Sequence, residues 1–145
     1  MPKISPHFQI EELVPEYIYK RFGVSSTWFI NPRLVHALEW LRTKSGWRLK
    51  VNDWHTGGHF QNRGYRTPDS AVGGSLSQHK LSNAADVSSA DATCQQIYDF
   101  ILANEAEAIE NGISCLEDIE FTKTWVHIDV RFVASPQTKI LIVKP

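Results

Sequence analysis

The sequence is short of sulfur, of net charge and of long apolar runs, and each shortage removes a class of protein. Two cysteines and one methionine occur among its 145 residues. Cys94 and Cys115 form no CxxC pair, and two thiols do not make a disulfide framework, so both are expected reduced and buried. Lysine and arginine total 15 against 16 aspartates and glutamates, with no basic stripe, which argues against nucleic acid as a partner. No stretch of about 18 apolar residues exists, so no membrane insertion is expected. The opening residues Met1 to Pro6 lack the apolar run of a signal peptide, implying synthesis in a cytoplasm without an export signal.

What is present is enough for a core. The chain is 42% hydrophobic and 11% aromatic, with no repeat, low-complexity tract or linker, and reads as a single domain over residues 1–145. A short helix is expected over 5–14, opened by Ser5 and carrying Phe8, Ile10, Leu13 and Val14. The clearest helix runs from about Pro32 to Lys44. Asn31 can cap it, Pro32 suits the first turn, Leu34, Leu38 and Leu41 recur at helical spacing, and Gly46 ends it. Residues 48–54 alternate like a half-buried strand, after which 55–83 break every periodic pattern, as long functional loops do. Ala84 to Val87 read as a buried strand. A second main helix follows from about Ala90 to Asn104, capped by Ser89 and stuttering on through Glu105–Glu110 to Gly112. Strands close the chain at roughly 115–121, 125–132 and 139–144. The order argues an α+β fold with a largely antiparallel sheet and two main flanking helices.

Chemistry concentrates in two segments. In the strand Trp125 to Phe132, alternation turns Val126, Ile128, Val130 and Phe132 into the core and Trp125, His127, Asp129 and Arg131 to the other face. Upstream, Ser75 to Asp86 places His79 at the end of a glycine-rich loop and Asp86 at the start of a strand. Two imidazoles and a carboxylate, with one position left open, make the donor count of a catalytic zinc: His79, Asp86 and His127. A lone histidine such as His36, within an amphipathic helix, reads instead as a packed or surface residue. His59 could reach the cleft, but a solvent-exposed loop position is the simpler reading for it and for His55. Asn52, Trp54, Tyr65 and Trp125 either wall a groove or fill the core.

The pattern Ser-x-His-x-x-x-x-Ala-x-Asp over Ser77–Asp86, followed by Trp-Val-His-x-Asp over Trp125–Asp129, resembles a family of zinc peptidases. It comprises D-alanyl-D-alanine carboxypeptidases, phage L-alanyl-D-glutamate endopeptidase endolysins, and relatives sharing the metal site of Hedgehog's amino-terminal domain. The resemblance spans about Asn31 to Phe132 and includes Arg63-Gly64-Tyr65-Arg66 and the Gly73-Gly74 turn. It implies a Hedgehog- and DD-peptidase-like fold, the same three zinc ligands, and substrate contacts from Arg66 and Ser77, with Arg63 the second arginine to consider. It also implies hydrolysis of an amide bond in peptidoglycan stem peptides at the bacterial cell wall, in phage lysis or as a virion component. A monomer is the expected state, and a non-catalytic zinc-binding homologue is the alternative.

Two departures from the family pattern bear on this. Ser82 stands where the family usually has glycine, which matters if the backbone there needs a positive φ. Thr124 stands where many members carry an acid, three residues before the second histidine. Glu117, Asp118 and Glu120 are the acids upstream; Glu120 is the expected general base, with Asp118, of the same strand parity, next. Asp129 is expected to brace a zinc-binding histidine or to pair with Arg131 rather than to close the site as a fourth ligand.

Overall fold

The structure, a computed structural model, describes residues 3–145. A four-stranded sheet in the order β1-β3-β2-β4 organises it. β1 (Ala84–Val87) lies antiparallel to β3 (Val126–Asp129), which lies antiparallel to β2 (Cys115–Glu117). β4 (Leu141–Val143) then pairs with β2 in parallel, so the fold is α+β as expected but the sheet is mixed. The cause is a skipped position. β4 runs opposite to β3, as a strand after a reversal does, yet docks beyond β2, which is already antiparallel to β3.

Alternation divides the sheet into two faces. Ala85, Val87, Leu116, Val126 and Ile128 enter the main core, where α2 (Pro32–Ser45) supplies Leu34, Leu38 and Leu41, and α3 (Cys94–Ala103) supplies Ile97 and Ile101. Each such side chain, fully removed from water, contributes about 1.5–3 kcal/mol. The opposite parity, Asp86, His127, Asp129 and Glu117, faces the irregular segment between Trp54 and Asn83. Even so, every residue of β1 and β3 is buried.

The α2 ends are those read from sequence. Asn31 accepts the Arg33 N–H at 3.0 Å, and Gly46 closes the helix in the left-handed region at φ 76°. α3 starts later than expected, because Thr93 and Gln96 form a capping box at 2.8 and 3.1 Å and leave 90–93 as a bend. α4 (Glu105–Glu110) follows as anticipated. Residues 5–14 do not form an α-helix; only a 3-10 turn over Ile10–Glu12 is present, and α1 (Glu16–Phe22), absent from the sequence reading, begins after Pro15. The apolar set there is buried by a winding segment rather than along one helical stripe.

The expected strand over 48–54 reduces to one bridge, Lys50 with Ser88. Beyond it Asn52 N–H turns to the Glu12 carbonyl, and the Asn52 side chain ties Val14 O to Arg63 N–H, so the segment is pinned to the N-terminal region instead of the sheet. The late strands are shorter than read. Phe132 is 83% exposed rather than in the core, because the β3 ladder stops at Asp129 and the Arg131 N–H turns back to the Asp129 carboxylate.

Candidate metal centre

The β1–β3 register sets Asp86 directly opposite His127 on one face, with His127 Nδ1 3.1 Å from Asp86 Oδ1. His79 arrives from a 3-10 turn over Gln78–Leu81, placing its Nε2 3.3 Å from the same oxygen. All three side chains are buried, and their donor atoms lie within 4.8 Å of one another. A cleft of about 500 Å³ opens onto them.

Whether these residues suit a metal is decided by their outer nitrogens. His79 Nδ1 lies 2.8 Å from the Gly64 carbonyl, which can only accept, so Nδ1 is a donor and Nε2 is the nitrogen turned toward Asp86. His127 Nε2 lies 2.9 Å from Asp129 Oδ2, which fixes a proton there and turns Nδ1 toward Asp86 as the nitrogen a metal would take. Asp129 is fully buried and held in turn by Arg131 through Nε at 2.8 Å and Nη2 at 2.6 Å. Two oriented imidazoles and a carboxylate thus converge, with the supporting carbonyl and carboxylate that metal-binding histidines require. The buried trio fits a metal ion.

The loop side depends on local backbone chemistry. Gly64 runs so close to the N-terminal region that a Cβ there would lie 2.5 Å from Leu13 O, while Tyr65 N–H bonds that carbonyl at 2.8 Å. No other residue leaves the Gly64 carbonyl where His79 needs it. Arg66 N–H bonds His79 O at 3.2 Å and Asp86 N–H bonds Arg63 O at 2.8 Å, stitching segment 63–66 between β1 and the His79 turn. Ser82 does adopt a left-handed conformation, φ 60°, at the end of that turn. Its Oγ accepts the Asn31 N–H at 3.0 Å, which offsets part of the backbone cost.

Charge at the cluster is tightly balanced. Burial would raise the Asp86 carboxyl, but hydrogen bonds from His127 and His79 win and hold it below its usual range. Burial would lower His127, but Asp129 and Asp86 on either side push it up to about 9, so metal binding must displace a proton from it. Asp129 is lowered, its burial outweighed by Arg131 and His127.

The expected base is not at the site. Glu120 is exposed and lines a separate cleft with Thr93 and Lys123, and Asp118 accepts the Glu120 N–H at 3.0 Å, closing the turn after β2. The acid that faces the cluster is Glu117, with Oε1 3.6 Å from His127 Nδ1. It lies beside the ligand trio without joining it. The β2–β3 register, Cys115 to Asp129 and Leu116 to Ile128, brings Glu117 next, toward His127. Glu120 lies in the turn between Asp118 and Trp125, which carries it away from the cluster.

The other anticipated residues are present around the cleft. Arg66 Nη2 is 3.5 Å from Asp86 Oδ2, its Nε bonds Asn62 O at 2.7 Å, and Ser77 lines the same cleft. Arg63 points to a neighbouring cleft shared with Arg66, Asp86 and Trp125, where exposed His59 also lies. Asn52 and Tyr65 are buried packing residues. Neither cysteine is in a disulfide, and burial pushes the Cys115 thiol up to about 12. No described helix is long and apolar enough to cross a membrane. Compared with known proteins, the chain matches no family model, no curated protein and no solved structure.

Proposed function

We propose that this protein is a zinc-dependent peptidase of the D-alanyl-D-alanine carboxypeptidase and endolysin type, hydrolysing an amide bond in peptidoglycan stem peptides at the bacterial cell wall. The observation that carries the reading is the convergence of His79, Asp86 and His127, the two imidazoles braced at their outer nitrogens by Gly64 O and Asp129, with the Glu117 carboxylate alongside. The sequence motifs shared with that family support it further.

Zinc would be held by His79 Nε2, Asp86 Oδ1 and His127 Nδ1. When bound in such a site it supplies Lewis acidity and a water nucleophile that ionises near pH of about 7. Glu117 takes the proton of the attacking water and delivers it to the leaving nitrogen as the C–N bond breaks. Arg66 and Ser77 offer donors on the cleft wall to the substrate's carbonyl oxygens. Asp129 and Arg131 keep the His127 ring in place.

Glu117→Gln tests the assignment. It should keep a full equivalent of zinc but release new amines from purified peptidoglycan about 10²–10⁴-fold more slowly than wild type. A zinc-loaded wild type that releases no amine, and so behaves like the variant, would instead establish a non-catalytic metal-binding module.

A further inference from the structure

The cleft beyond the Arg66–Asp86 pair has features that the ligand trio does not explain. Arg63 is half-buried there, its Cζ 3.6 Å from the centre of the Phe60 ring. Its Nη1 donates to Ser88 Oγ at 2.8 Å and its Nη2 reaches the Thr124 carbonyl at 3.5 Å, so the guanidinium is held in one orientation. Arg48, Arg66 and Arg131 each have a carboxylate nearby. Arg63, among the described residues, forms no ion pair. Burial pulls its pKa down from the ordinary value, with only more distant charges opposing, as expected for a cation lacking a close counter-charge. Such a group is costly to keep desolvated unless an anion completes it.

Its position relative to the cluster is fixed by β1. Asp86 N–H bonds Arg63 O, and Ser88, which anchors the guanidinium, lies two residues beyond Asp86 on the same face. At the rise of a strand that is roughly 7 Å, the span of about two extended peptide residues. The cleft of about 420 Å³ above it shares Arg66, Asp86 and Trp125 with the metal-centre surroundings.

We propose that this cleft is a carboxylate subsite, in which the Arg63 guanidinium holds a free carboxylate of the substrate one or two residues from the amide at the metal centre. The proposal rests on the peptidase reading and adds the substrate's polarity to it. Arg66 is already engaged by Asp86 and Asn62 O, whereas the fork of Arg63 retains N–H groups for a bidentate partner.

The probes are the stem tripeptide L-alanyl-γ-D-glutamyl-L-lysine and the same peptide amidated at both free carboxyl groups. Binding is measured by calorimetry to metal-free and zinc-loaded protein, and cleavage is followed in parallel. Wild type should bind the acid about 10- to 100-fold more tightly than the amide, since a hydrogen-bonded charge pair is lost. Arg63→Gln should erase that preference while leaving amide binding and zinc content unchanged, and Arg63→Lys should restore part of it. The preference is a ratio within one protein, so a loss of stability does not imitate the effect. No preference in wild type, or an undiminished one in Arg63→Gln, overturns the subsite. Cleavage of both peptides without discrimination would sink the subsite and leave the peptidase reading standing; discrimination in binding without cleavage of either would do the reverse.

Discussion

The two histidines of the candidate metal centre are held by opposite means. His127 stands on a central strand, its ring fixed by a buried carboxylate that is itself clamped by Arg131. His79 stands on an irregular turn, its ring fixed by a single main-chain carbonyl whose position depends on Gly64 having no side chain. One side of the site is built from charge, the other from backbone shape. A charge relay transmits the loss of one member to the next, because it leaves a buried ion unpaired. A carbonyl support fails only if the main chain moves.

The sharpest way to break this contrast is at Asp129. Asp129→Ala leaves Arg131 and His127 without their shared counter-charge and should destabilise the fold by about 3 kcal/mol. That is the low end for a broken buried pair, because Arg131 is 26% exposed. Zinc affinity should fall about 10- to 100-fold with it. Chemical denaturation and competition with a chelator measure the two effects, and an unchanged zinc affinity would mean that Asp129 does not orient the ring. Next comes Gly64→Ala, where the clash with Leu13 O should cost about 1–3 kcal/mol and weaken zinc through the His79 side. Full-strength zinc binding in a destabilised Gly64→Ala protein would show that the loop relaxes independently of its ligand. The smallest effect belongs to Ser82→Gly. Relief of the left-handed conformation, about 1 kcal/mol, is countered by loss of the Asn31 bond, so thermal stability should change by less than about 1 kcal/mol in either direction.

The same contrast explains how much of the molecule could be read from its residues. α2 was legible end to end, because Asn31, Pro32 and Gly46 are local signals read within a few residues. The three candidate ligands were legible because their face follows from alternation on β1 and β3 and their spacing matches a known motif. What failed depended on contacts distant in sequence. The parallel β2–β4 pairing, the diversion of Asn52 away from the sheet, and α1 leave no periodic trace. Glu117 was within view as one of three acids, yet its place beside His127 depends on the β2–β3 register and the true length of β2.

Asn31 gives the site a kinetic property as well. Its side chain accepts the Arg33 N–H at the start of α2 and donates to Asn83 Oδ1 at 2.9 Å, while its own N–H bonds Ser82. Asn83 continues the chain of contacts through its carbonyl to Val130 N–H and through its amide to Gln78. The first turn of α2, the turn bearing His79 and the end of β3 are therefore tied by one run of hydrogen bonds, and the expected outcome is that their amides exchange with solvent at a common rate. Metal bound by His79 would slow all three together, and so a ligand in the cleft would be felt at a helix end that never touches it.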